Sequence, residues 1–270
     1  MKKKYILILL AALMILTGCR FGQTAVLMSN VAADSRPLKI TPPGQESILV
    51  PVLVYHHIGT PPKNLSSAGK SLFIQPEWLE KHLQYLKEHG FSTVRFSNVA
   101  DYFEFGTPLP ERPVIINFDD GYKSTYEKAL PILQKYGMTA TVFIPANLME
   151  HRAYMSWDQV KGLRDADWEI GSHSLWHPYL TKSRKAQFEI AESKKILEEK
   201  MGEPITVFAY PFGNYNTRIE QMAKDAGYRL ARSFTSGNGI SQKNLFHIPV
   251  VRVWGNLDLS VWKKQLFAEE

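Results

Sequence analysis

The chain has 270 residues, 44% of them hydrophobic, with 17 Gly and 16 Pro, a composition that suits one large globular domain with a substantial core. Its formal charge of +6 includes Lys2, Lys3 and Lys4; taking these three from 32 basic residues leaves 29 against 26 acidic ones, or +3. No basic cluster with interleaved aromatics occurs, so nucleic-acid binding gets no support.

At the N terminus, Lys2 to Lys4 precede an apolar run from Tyr5 to Leu16 that is too short for a comfortable membrane span, the pattern of an export signal. The run ends in Leu16-Thr17-Gly18-Cys19, which resembles a bacterial lipobox. That resemblance implies cleavage before Cys19 and lipidation of its thiol and new amino group; an ordinary signal peptide with an incidental cysteine is the alternative. Cys19 is the only cysteine, so the remaining chain has no internal disulfide. More than one acyl chain on Cys19 would hold the protein stably on the outer face of a membrane. The expected organisation is a lipoprotein signal over residues 1–18, a flexible tether over 19–47 punctuated by Pro37, Pro42, Pro43 and Gly44, and one exported, monomeric domain over 48–270.

Within that domain strands and helices alternate. Val50 to Tyr55 is a β-branched run, and Leu65 to Lys70 is a polar loop. Gln75 to His89 carries Trp78, Leu79, His82, Leu83 and Leu86 at helical spacing, with Gly90 at its end. Ser92 to Phe96 reads as a strand. The apolar run Val114 to Ile116 reads as a buried parallel strand that ends in Asp119-Asp120-Gly121. Residues 124–136 are helical, with Pro131 marking a break or the opening of a second helix and Gly137 closing it. Thr139 to Pro145 alternates as a strand, and Ser156 with Gln159 three residues on forms a helix N-terminal signature. Strands follow at Trp168 to Ser172, Ile205 to Tyr210, Tyr228 to Phe234 and His247 to Val253, and helices at Lys182 to Met201, Thr217 to Ala226 and Leu259 to Phe267. This alternation, without a glycine-rich dinucleotide loop, predicts an α/β fold of the (β/α)-barrel type.

The chemistry sits at two strand ends. Asp119 and Asp120 repel each other, and a bound metal ion offsets such a pair, one carboxylate coordinating and the other left as a base. On that stretch alone a plain Asp-Asp-Gly turn stays open. About fifty residues further, His173 and His177 follow another predicted strand. Two neutral imidazoles and one carboxylate make the three-ligand set of an open catalytic zinc site. A lone His-x-x-x-His is weak evidence; paired with Asp119-Asp120 at the same barrel mouth it becomes strong.

Phe118-Asp119-Asp120-Gly121 and Ser172-His173-Ser-Leu-Trp-His177 resemble the first two motifs of the polysaccharide deacetylases, carbohydrate esterase family 4, and the resemblance runs from about Val50 to Val253. It implies a distorted barrel of about seven parallel strands in a single domain, with Asp119 as catalytic base and Asp120, His173 and His177 as ligands of one divalent ion. Zinc is the first candidate, with cobalt and nickel open. The implied partner is an N-acetylated polysaccharide of cell wall or biofilm matrix, deacetylated with release of acetate.

The family's third motif, Arg-x-Pro-Tyr, is replaced here by Ala209-Tyr210-Pro211-Phe212-Gly213. Phe212 can still offer a backbone N–H to an oxyanion. Arg252 is the candidate to replace the missing arginine beside the base, with Arg232 its rival. No late catalytic-histidine motif is evident. Val54-Tyr55-His56-His57-Ile58 instead resembles the subgroup that includes exported poly-N-acetylglucosamine deacetylases, which implies His56 as general acid, with His57 pointing away. His247, at a strand's start, stands at the wrong end of the barrel. Tyr55, Tyr210, Trp176, Phe212 and Trp254 are candidates for stacking on sugar rings or for packing in the core. Two other readings of the scaffold are a glycoside hydrolase using Asp119 and Asp120, and a non-catalytic carbohydrate-binding lipoprotein.

Overall fold

The computed structural model describes residues 44, 46–255 and 258–267. Seven parallel strands close into a barrel, as expected: β1 (Val52–Tyr55), β2 (Pro113–Phe118), β3 (Thr141–Ile144), β4 (Glu169–Ser172), β5 (Val207–Ala209), β6 (Leu230–Ser236) and β7 (Ile248–Arg252). β1 pairs with β7 on one side and β2 on the other, which completes the ring. A short strand, Ser92–Thr93, adds to the start of β2 outside it. The barrel is distorted between β6 and β7, where Arg232 lies opposite Ile248 but Ser236 opposite Val250, so four residues of one strand advance against two of the other.

The strands are apolar because both their faces are buried; all six residues of β2 are inaccessible. One face fills the barrel with Val52, Val54, Ile115, Phe143, Val207 and Val250. The other face, with Leu53, Ile116, Val142 and Ile170, packs under the helices. These are α1 (Pro76–Glu88), α2 (Phe96–Phe105), α3 (Leu130–Tyr136), α4 (Trp157–Asp165), α5 (Ala186–Met201), α6 (Thr217–Asp225) and α7 (Leu259–Phe267). α1 buries Leu79, His82, Leu83 and Leu86, the stripe its sequence spacing shows. Pro131 stands in the first turn of α3 after a π-helical turn at Thr125–Ala129, so both readings of that proline describe part of the truth. Ser156 and Gln159 form a reciprocal cap on α4.

The expected strand Ser92 to Phe96 is corrected: only Ser92–Thr93 is extended, and α2 begins at Phe96. The amide groups of Phe96 and Ser97 donate to the Glu169 carboxylate, each at 2.9 Å, a partner 72 residues or more away that local sequence does not reveal. The export signal, Cys19 and nearly all of the expected tether lie outside the described residues. Among the described residues no helix is long and apolar enough to cross a membrane.

Candidate active site

At the C-terminal end of β2 the two acidic side chains are turned apart. The Asp119 amide donates to Tyr55 O at 2.9 Å and so continues the ladder with β1. Asp120 then enters the left-handed region at φ 70°, followed by Gly121 at φ 68°. Asp tolerates this conformation better than most residues. The reversal sends Asp120 toward β4 and leaves Asp119 facing Arg232 and His56.

Asp119 is buried and forms an ion pair through Oδ1 with Nη2 of the fully buried Arg232. Its Oδ2 lies 3.7 Å from His56 Nε2. Burial pushes the Asp119 carboxyl upward, but the charge and hydrogen bond of Arg232, aided by the neighbouring imidazoles, outweigh it and hold the group below the usual carboxylate range. Asp120 has no such guanidinium contact; burial, reinforced by neighbouring Asp119 and partly opposed by His56, raises its carboxyl.

His173 leaves the end of β4 with its amide on Ile144 O at 2.9 Å. Its Nδ1 lies 2.7 Å from the carbonyl of Ala209, which can only accept, so Nδ1 carries the proton and Nε2 presents a lone pair to the site. The loop to His177 is a tight coil with Ser174 at φ 67° and His177 at φ 56°. Within it Leu175 N–H and Trp176 N–H both donate to the buried Glu189 carboxylate of α5 at 3.0 Å. His173 Nε2 and His177 Nε2 end up 3.2 Å apart, with Asp120 Oδ1 3.7 and 3.4 Å from them respectively. Burial lowers both imidazoles, and the neutral form is the ligating one.

These three ligand atoms all lie within 4.8 Å of one another. Lone pairs held this close repel unless a cation sits among them, so the donor set fits one divalent ion. Two imidazoles and a carboxylate suit zinc, and cobalt or nickel equally by ligand type.

One assignment is corrected. The arginine at Asp119 is Arg232; Arg252 instead donates from Nη2 to Ser236 Oγ at 2.7 Å and lies over the rings of Phe234 and Trp254. The irregular β6–β7 register is the reason. Arg232 is opposite the first residue of β7, whereas Arg252 is its last residue.

His56 follows β1, faces Asp119 and lines the same cavity, while His57 is turned away and stacked on Phe73 and Tyr122 at 4.0 and 3.5 Å. His247 lies 3.2 Å from Glu220 and parallel to Tyr215, and it does not line the cavity. Phe212 stands half-exposed on the rim at φ 59°. Gly213 beside it is obligatory, because a Cβ there would fall 2.1 Å from Phe234 Cβ at φ +63°.

The candidate sugar platforms divide. Tyr55 is buried with its hydroxyl on His82 Nδ1 at 3.1 Å, and buried Tyr210 donates to Phe246 O at 2.9 Å, so neither ring is free to stack on a sugar. Trp176 and Phe212 are exposed, and Trp254 lines the cavity. Three rim aromatics escaped the sequence reading. Tyr122 and Tyr154 line the cavity, and Tyr179 stacks on Phe212 with centroids 3.9 Å apart. Tyr122 directly follows the Asp119-Asp120-Gly121 motif, a signal that was available; Tyr154 and Tyr179 carried none. The cavity itself measures about 440 Å³ and brings His56, Asp119, Asp120, His173, His177 and Phe212 to one mouth.

The sequence model of the family described as "Polysaccharide deacetylase" matches residues 106–231, a span that holds both Asp119-Asp120 and His173-His177. YxkH of Bacillus subtilis (strain 168), a protein carrying a provisional polysaccharide deacetylase name, is 29% identical over 206 residues, 76% of this chain and 71% of its own. The poly-beta-1,6-N-acetyl-D-glucosamine N-deacetylase of Escherichia coli (strain K12) is 24% identical over 318 residues; the match takes in 97% of this chain but 44% of that protein. Among solved structures, the Streptococcus pyogenes deacetylase PplD in complex with acetate superposes with a TM-score of 0.75 at 24% identity, over 84% of this chain and 99% of that one, a likeness of fold. The chain thus resembles the polysaccharide deacetylase family over 126 of its 270 residues, the stretch that carries both the Asp119-Asp120 and the His173-His177 pairs.

Proposed function

We propose that this domain is a metal-dependent hydrolase that removes N-acetyl groups from N-acetylglucosamine-containing polysaccharide of cell wall or biofilm matrix. The observation that carries the reading is a division of labour between adjacent carboxylates. Asp120 joins His173 and His177 around one point, while Asp119 is kept ionised by Arg232 and turns its second oxygen to the cavity. The Escherichia coli relative's name supports the substrate class.

A divalent ion held by Asp120, His173 and His177 would polarise the acetamide carbonyl and acidify a water. Asp119 accepts the proton of the attacking water as an O–C bond forms. Arg232 fixes the rotamer and the ionised state of Asp119 throughout. Negative charge developing on the former carbonyl oxygen is met by the Phe212 N–H. The C–N bond then breaks, and His56, on the far side of Asp119, donates its proton to the departing nitrogen. Acetate and a free amino sugar result. Cys19, once lipidated, would keep the enzyme at the extracytoplasmic face of a membrane, and Cys19→Ala should release it or block its processing.

The test is acetate release by purified protein with added zinc, cobalt or nickel, on poly-β-1,6-N-acetylglucosamine, peptidoglycan and chitin oligomers. Chelator-sensitive release from at least one polymer is expected. Retained binding to a polymer without any acetate would favour the non-catalytic carbohydrate-binding reading instead.

A further inference from the structure

Trp254 belongs to two cavities. It lines the cavity of Asp119 and also borders a second one, of about 570 Å³, between β7 and α7. Phe234, which packs edge-on against both His56 and Trp254, connects the two regions. The second cavity has a distinct charge: Arg252 and Lys264 line it, and no carboxylate does so among the described residues. Arg252 is not a loose surface cation. Ser236 Oγ accepts from its Nη2 at 2.7 Å, and its guanidinium lies 5.6 and 5.9 Å from the centroids of Phe234 and Trp254. Those contacts hold the guanidinium at the wall of the second cavity.

A polymeric substrate extends beyond the unit whose acetyl group is cut, and this cavity adjoins the first one across Trp254. An N-acetylglucosamine unit placed there is neutral, whereas glucosamine, the reaction's own product, is an amine that takes up a proton. We propose that the cavity beyond Trp254 is a subsite for a neighbouring unit of the polymer, and that Arg252 and Lys264 reject a neighbour already deacetylated. The inference rests on the deacetylase reading and adds a pattern to it. The enzyme would place free amines singly along the chain rather than extend blocks of them. Like charges at a partly solvated rim discriminate modestly, about five- to tenfold, and salt weakens them.

The experiment uses the zinc-loaded protein and β-1,6-linked N-acetylglucosamine pentasaccharides, one fully acetylated and the others with one free amine at a defined unit. Initial acetate release at low substrate gives kcat/KM for each. The fully acetylated oligomer should be preferred about five- to tenfold over the isomer whose amine falls in the subsite, and the preference should shrink at about 0.5 M salt. Arg252→Gln with Lys264→Gln should bring the ratio near one. Lys264→Gln alone, at an exposed side chain, should lower it part of the way and serves if the double variant does not fold. A wild-type ratio near one, or a ratio unmoved by these substitutions and by salt, overturns the subsite. Absence of acetate from every oligomer is a failure of the deacetylase reading itself and takes the subsite with it.

Discussion

Two carboxylates sit at opposite ends of the barrel, Glu169 half-buried and Asp119 buried, and only Asp119 faces the cavity that holds the His173-His177 pair. Glu169 opens β4 at the N-terminal end, where its Oε2 accepts from Phe96 N–H at 2.9 Å and Thr141 Oγ1 at 2.8 Å, and its Oε1 from Ser97 N–H at 2.9 Å. Both oxygens are engaged, at the N-terminus of α2, and no cation neutralises the group, so burial raises its carboxyl. Asp119, just beyond β2 at the C-terminal end, has one oxygen on Arg232 and keeps the other for His56 and the cavity. Burial alone therefore does not mark a working acid. Spare acceptor capacity beside an open cavity does, together with a cation that keeps the group ionised.

The largest effect that would sharpen this contrast is at the ligands. His173→Ala should abolish stoichiometric binding of a divalent ion, read by metal analysis, and acetate release should fall below detection with it. His56→Ala should retain the ion and the fold but lower turnover by roughly 10²–10⁴-fold, the usual worth of a positioned acid, while His247→Ala costs little beyond stability. Loss of the ion in His56→Ala would make His56 a ligand and break the division of roles.

Arg232→Met comes next. It leaves the Asp119 charge buried without its partner, at a cost of about 3–5 kcal/mol in denaturant unfolding. The folded-state carboxyl of Asp119 is depressed, so its stabilising contribution is complete above the ordinary carboxylate range and is lost as pH falls through the lower folded value. Without Arg232 the carboxyl rises, and the acidic limb of the pH–rate profile should move to higher pH. The smallest effect on catalysis belongs to Glu169→Gln. It should cost about 1–3 kcal/mol of stability through the α2 amides, with kcat of the folded protein unchanged. A fall in kcat there would erase the distinction between the two carboxylates.

Much of this was legible in the sequence because it is written in local pattern. The alternation of apolar runs and amphipathic helices gave the barrel, and adjacent Asp119-Asp120 and His173-His177 gave the donor set at strand ends. What stayed hidden depends on contacts between distant residues. α2 escaped because Glu169 satisfies its first amides from another strand. Arg232 and Arg252 are alike in sequence, each on a strand bordering the mouth, and only the β6–β7 irregularity decides which guanidinium reaches Asp119. Tyr55 and Tyr210 stayed open between sugar stacking and core packing because aromatic identity does not say which face of a strand is covered; both are buried.

The most direct measurement is Asp119→Asn, assayed at once for bound divalent ion and for acetate release from the acetylated polymer. The division of roles predicts one ion per chain, as in the wild type, with turnover lower by roughly 10²–10⁴-fold. Loss of the ion would make Asp119 a ligand, and wild-type turnover would remove it as the base; either result contradicts the assignment.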